Sequence, residues 1–190
     1  MSPPPQFTAG ARLGPYVIER HLASGGMGEV YVARDARAPE GERVALKVVA
    51  GASPASAPRF EREQRALARL DHPHVVVARD RGRTDAGVAW LAMELLRGED
   101  LASRLARAPL APADAVTLAV QVCDALAHAH ARGVVHRDLK PQNLFLCDGP
   151  ALRVKVLDFG IARLADEAPW TATGGVIGTW AYMAPEQARG

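Results

Sequence analysis

The chain has 190 residues, 48% of them hydrophobic and 5% aromatic, and 23 Lys+Arg stand against 21 Asp+Glu for a net charge of +2. That length carries one large domain or two small lobes, and that composition belongs to a packed aliphatic core rather than a disordered chain. Arginines that are scattered rather than gathered into a stripe argue against a nucleic-acid partner, and two cysteines, Cys123 and Cys147, are too few for a disulfide framework and lack zinc-ligand spacing.

The opening MSPPPQFTAG has no charged start followed by an apolar run, so it is not read as a signal peptide; its prolines predict a short disordered arm over residues 1–13. Strands follow at Tyr16 to Leu22 and Val30 to Ala33, flanking the glycine cluster SGGMG, and a third runs from Val44 to Val49. Pro58 can open a helix that runs to about Leu70. Phe60, Glu63, Leu67 and Leu70 share one face of it. A glutamate in an apolar stripe needs a cationic partner, because burying it unpaired costs several kcal/mol.

Two more strands are predicted around Val75 to Ala78 and Val88 to Met93. ELLRGEDL then reads as a hinge between two halves. Pro112 starts a long helix ending near Arg132 and Gly133, with Asp114 favourable to its dipole. Val116, Leu118, Val120, Val122, Cys123 and Leu126 spread round most of its circumference, so it expects neighbours on several sides. His128 and His130, two apart on this helix, cannot chelate one ion together. Short strands near Leu144 to Leu146 and Arg153 to Leu157 complete the pattern. No apolar run reaches the ~18 residues of a bilayer span, so the chain is expected to be soluble and cytoplasmic.

Four stretches carry chemistry. In SGGMGEV a strand follows the glycines where a dinucleotide fold would place a helix, and there is no P-loop pattern. A glycine turn between two strands can instead offer backbone N–H groups to phosphates. In VALKV, Lys47 lies in an apolar strand; alone it reads as a snorkelling edge lysine, but pairing with Glu63 would satisfy both residues. HRDLKPQN places Asp138, Lys140 and Asn143 within six residues, in a segment whose Pro141 discourages helix, so one loop can aim all three at one point. In DFG, Asp158 at a strand end beside glycine suits a hard cation. Taken singly, HRD reads as a surface charge cluster and DFG as a turn.

In order, these stretches and the closing APE resemble the protein kinase family, specifically the eukaryotic-like Ser/Thr kinases of bacteria, over about residues 14–190. The resemblance implies an α+β, two-lobed fold. A β-rich N-lobe with one helix would span about 14–95, a hinge about 94–98, and a mostly helical, partial C-lobe about 99–190. It implies ATP and Mg²⁺ as cofactors and Ser/Thr-containing proteins as substrates, with autophosphorylation in trans. Leu22, Ala23, Ser24, Gly25, Gly26, Met27, Gly28, Glu29 and Val30 match the phosphate-covering loop, with Ala23 where its first glycine is expected. Ala45, Lys47, Glu63, Met93, Glu94 and Leu96 match the remaining ATP-binding positions. Met93 is the gatekeeper, the backbone of Glu94 to Leu96 contacts adenine, and Asp100 is a further candidate for ribose.

By the same resemblance Asp138 accepts the substrate hydroxyl proton and Lys140 neutralises the transferring phosphoryl group. Asn143 and Asp158 hold Mg²⁺, and Thr179 helps place the substrate. Trp180 stands where proline is common. Arg137 implies control by activation-loop phosphorylation, with Thr171 and Thr173 the candidate sites. In the family Glu186 pairs with an arginine far downstream, and this chain ends four residues after it. The expectation is therefore an incomplete C-lobe, unstable or prone to association, with low or absent activity; the alternative to an active enzyme is a fragment that binds nucleotide or is inactive.

Overall fold

The computed structural model describes residues 6–25, 28–38, 41–49, 69–159 and 180–189. These fall into two compact units. One takes in the described residues up to Arg69 together with Val76–Leu96; the other takes in Leu70–Val75 and those from Arg97 onward.

The first unit is a six-stranded antiparallel sheet of β1 (Arg12–Leu13), β2 (Tyr16–Gly25), β3 (Gly28–Asp35), β4 (Arg43–Val49), β5 (Ala78–Arg83) and β6 (Ala89–Glu94), in the spatial order β1-β2-β3-β4-β6-β5. Alternation sorts the side chains onto two faces. Tyr31, Ala33, Val44, Leu46, Val48, Trp90 and Ala92 fall on one, and with Leu13, Tyr16 and Ile18 they form the core cluster. Burying each of the larger side chains among them is worth about 1.5–3 kcal/mol. The Tyr16 and Trp90 rings meet edge-on at 5.3 Å. On the other face Val30 pairs with Lys47, Lys47 with Leu91, and Ala45 with Met93.

Two expectations are corrected here. Residues 6–13 are not a disordered arm: β1 pairs with β2, Leu13 is fully buried, and Phe7 packs edge-on against Tyr31. Apolar Phe7 and Leu13 have a core to enter, which outweighs the neighbouring prolines. Val75 to Ala78 is not a strand either. Val75 makes a single parallel bridge to Val156, and the strand begins at Ala78 and runs through ARDRGR. That polar strand is held by its pairing with β6 and by ion pairs, Asp80 with Arg37 at 2.9 Å and Arg79 with Glu42 at 3.0 Å.

The second unit carries a three-stranded sheet, β7 (Gly98–Asp100), β8 (Leu144–Cys147) and β9 (Arg153–Val156), and the helices α1 (Leu101–Arg107), α2 (Pro112–His130) and α3 (Pro185–Arg189). Leu70–Val75 joins it through Val156 N–H donating to the His74 carbonyl at 2.8 Å and the Lys155 ammonium donating to the Val75 carbonyl at 3.0 Å. Helix α2 is not buried all round. Leu118, Val122, Ala125 and Ala129 make its buried face, whereas Val116 and Val120 are 64% and 63% exposed. His128 packs against His72 at 4.9 Å, and burial pushes its pKa down.

Gly98, in the stretch expected to be a hinge, pairs with Cys147 at φ +133°, where an added Cβ would sit 2.0 Å from the Leu146 carbonyl oxygen. Gly98→Ala is therefore expected to destabilise the second unit by at least about 2 kcal/mol, combining backbone strain with a backbone clash. A denaturant midpoint equal to that of the parent chain would refute this.

Candidate active site

In the first unit the β2–β3 hairpin closes with Gly25 opposite Gly28. Gly28 takes φ +125°, a conformation open only to glycine, so this position explains the residue. Ala23, in place of a glycine, pairs in register with Val30 and has no positive φ. Its methyl is accommodated because the backbone there, just after a bulge in β2, keeps an ordinary negative φ. Ser24 and Glu29 face each other across the hairpin, and Leu22 is exposed.

Lys47 is only 3% exposed, set on β4 between Val30 and Leu91. It is therefore a buried lysine on a central strand, not one snorkelling from an edge. Ala45 and Met93 lie opposite each other and are both buried. The Glu94 amide donates to the Val77 carbonyl at 3.0 Å, while the Glu94 carboxylate accepts from the Val77 amide at 2.9 Å. Leu96 follows just beyond β6 and is half-buried. Gly26, Met27, Glu63, Thr171, Thr173 and Thr179 lie outside the described residues.

In the second unit three of the catalytic candidates, Asp138, Lys140 and Asn143, converge. Asp138 Oδ2 accepts from Lys140 Nζ at 2.8 Å and from Asn143 Nδ2 at 3.2 Å. The same Asn143 amide also donates to the Asp138 carbonyl at 2.7 Å. Pro141–Asn143 forms a single 3₁₀ turn that carries Asn143 back over Asp138, and the Asn143 carbonyl accepts from the Leu157 amide at 2.9 Å. The loop containing Asp138 is thereby tied to the residue just before Asp158.

His136, which was not singled out from the sequence, is the hub of this arrangement. It is 2% exposed and packs, with ring planes tilted by 51° and centroids 4.8 Å apart, against the fully buried Phe159. Its Nε2–H donates to the Leu157 carbonyl at 2.8 Å, and its Nδ1 accepts from the Asp138 amide at 3.3 Å. One nitrogen donating and one accepting is the neutral imidazole, and burial pushes the His136 pKa down in keeping with that. Its flanking apolar residues, VVH, were the available signal for a buried histidine.

Arg137 and Asp158 are the only non-glycine residues with positive φ among the described residues, at +64° and +53°. Both lie next to hydrogen bonds that hold them there. Gln187 on α3 donates its amide to the Arg137 carbonyl at 2.8 Å, a contact without a signal in the sequence. Asp100 caps α1: its two carboxylate oxygens accept from the Ser103 amide at 2.9 Å and the Ser103 hydroxyl at 2.6 Å.

The chain is similar to known proteins. The chain matches the protein kinase domain family over residues 16–190. It is 45% identical over 187 residues to the serine/threonine-protein kinase Pkn1 of Myxococcus xanthus, covering 95% of this chain and 26% of that protein. It is 43% identical over 185 residues to the serine/threonine-protein kinase PknA of Mycobacterium tuberculosis, covering 93% of this chain and 42% of that protein. The crystal structure of the Mycobacterium tuberculosis PknI kinase domain superposes with a TM-score of 0.73 at 36% identity, covering 82% of this chain and 64% of that one. The chain thus spans less than two thirds of the length of each of these relatives. A match that runs through both units, from the first long strand to the last described helix, supports a single assignment: the chain belongs to the protein kinase family.

Proposed function

We propose that the chain carries the catalytic machinery of a serine/threonine protein kinase, transferring the γ-phosphoryl group of ATP to Ser and Thr hydroxyls of proteins. The observation that carries this reading is the convergence of Lys140 and Asn143 on the Asp138 carboxylate. That cluster puts a base and a cation at one point, which fits removal of a hydroxyl proton beside a transferring anionic group. The substrate hydroxyl attacks the γ-phosphorus, the bond to the bridging oxygen breaks, ADP leaves, and the hydroxyl proton passes to Asp138. Lys140 offsets charge on the transferring group; the transition state is loose, so positioning and electrostatics do most of the work.

Lys47 supplies a buried ammonium for the α- and β-phosphates, oriented by Glu63, and the Gly25–Gly28 turn supplies backbone N–H groups above them. The Glu94 amide is committed to Val77, so a backbone donor to adenine comes from further along, at Leu96. Magnesium fits the donor set. Asn143 turns its NH₂ toward Asp138, which leaves its amide oxygen as a hard ligand on a segment hydrogen-bonded to the residue before Asp158. Such a cation is usually held by one or two side chains plus phosphate and water. Bound there, it would neutralise phosphate charge.

Protein substrates, autophosphorylation in trans at Thr171 and Thr173 under the control of Arg137, placement of the substrate by Thr179, and a cytoplasmic setting complete the proposal. Among the described residues no helix is long and apolar enough to cross a membrane. The test is incubation of the chain with γ-labelled ATP, Mg²⁺ and a basic Ser/Thr-rich protein. Phosphoserine or phosphothreonine in that protein is the expected product; label only on tyrosine, or none, overturns the proposal. Mass mapping that finds neither Thr171 nor Thr173 modified would remove those two sites from it.

A further inference from the structure

The hairpin that carries the glycine turn has a second polar feature, on the face away from Lys47. Glu29 pairs in register with Val48, and Val30 with Lys47, so Glu29 points to the core-cluster side of the sheet. There its Oε2 accepts from His21 Nε2 in a short contact and from the Ser24 hydroxyl at 3.0 Å. The His21 ring in turn packs edge-on against Tyr31 at 5.4 Å, and Tyr31 is a fully buried member of the core. The Ser24 oxygen is also 3.2 Å from His21 Nε2. This is not a nucleophile relay, which needs a different imidazole nitrogen for the hydroxyl and for the carboxylate. Here one nitrogen faces both, so the carboxylate is the shared acceptor of two donors.

We propose that His21, Ser24 and Glu29 are positioning residues: a polar clasp on the back of the hairpin that sets how firmly its glycine turn grips the phosphates of ATP. The role rests on the nucleotide reading above. A hairpin whose two strands are tied together beside the turn loses less freedom when it meets a ligand. The clasp ties β2 to β3 at Ser24 and Glu29, immediately beside the turn, and His21 anchors it to the rigid core through Tyr31. The register of β3 places the Glu29 carboxylate on the face opposite Lys47.

The clasp should affect phosphate contacts and leave the adenine contacts alone. Dissociation constants for ATP–Mg²⁺ and for adenosine are measured on the chain and on its His21→Leu and His21→Gln variants. His21→Leu is expected to weaken ATP by about 3–10-fold, the net scale of one ordinary hydrogen bond, with adenosine unchanged. His21→Gln, whose amide can donate to Glu29, recovers most of the loss. In the nucleotide-free chain, the hairpin amides around residues 20–31 exchange faster in His21→Leu than in the parent. ATP affinity that does not change, or equal losses for ATP and adenosine, overturns the positioning role. Unchanged exchange overturns the clasp itself. A parent chain that binds neither ligand, and a Lys47→Met variant indistinguishable from it, overturns the nucleotide reading and this role with it.

Discussion

Asp138→Asn is expected to lower phosphoryl transfer by about 10²–10⁴-fold, the usual worth of a positioned general base, while ATP affinity stays near that of the parent chain. The substitution keeps the size of the side chain and one acceptor oxygen. The Lys140 ammonium, 2.8 Å from Asp138 Oδ2, keeps a partner, and the Asn143 donation to the Asp138 main-chain carbonyl at 2.7 Å does not involve the side chain at all. Geometry therefore survives and basicity does not. A single-turnover assay with saturating ATP isolates the chemical step; nucleotide affinity measured alongside it separates a lost base from a collapsed loop. A variant that transfers at the parental rate would show that Asp138 is not the base, and a variant that also loses ATP would show that its role is structural.

The sequence made the first unit legible where strands are apolar and hid it where they are not. Arg43–Val49 announces itself by a tight run of aliphatic residues, and the structure extends the expected Val44 to Val49 by one residue. ARDRGR carries no such signal, because its stability comes from β6 and from Arg37 and Glu42, partners distant in sequence. ELLRGEDL conceals β7 and the start of α1 for a different reason. Its glycine reads as a hinge, yet Asp100 followed three residues later by Ser103 is a helix cap that could have been recognised. At the site, Asp138, Lys140 and Asn143 were legible because one short motif contains them and its proline forbids a helix. His136 was not, since its importance lies in what it bridges: Leu157 is 21 residues away, and only folding brings its carbonyl to the ring.

His136→Leu is expected to cost about 2–5 kcal/mol of stability, a large share of the ~5–15 kcal/mol that holds a domain together, and to lower transfer even where the protein remains folded. The substitution keeps the bulk over Phe159 and removes both polar bonds. The Leu157 carbonyl loses its donor and the Asp138 amide loses its acceptor, in a site from which water is excluded. The neighbouring backbones of Arg137 and Asp158, at φ +64° and +53°, are then free to relax toward ordinary conformations, which moves the base and the candidate metal ligand together. A pH series identifies the histidine as the cause. Burial pushes its folded pKa below the unfolded value near 6.5. As pH falls through about 6.5 the unfolded chain takes up a proton that the folded chain refuses, so the unfolded state binds more protons and stability drops with falling pH. The slope is at most about 1.4 kcal/mol per pH unit for one such group, and it ends at the depressed folded pKa. His128, shifted the same way, adds to the parental slope and is untouched by the substitution. Denaturant midpoints measured from pH 7.5 down to 5.5 should therefore fall more steeply for the parent than for His136→Leu. Parallel slopes would mean that His136 does not sit neutral between Leu157 and Asp138, and the hub assigned to it would be wrong.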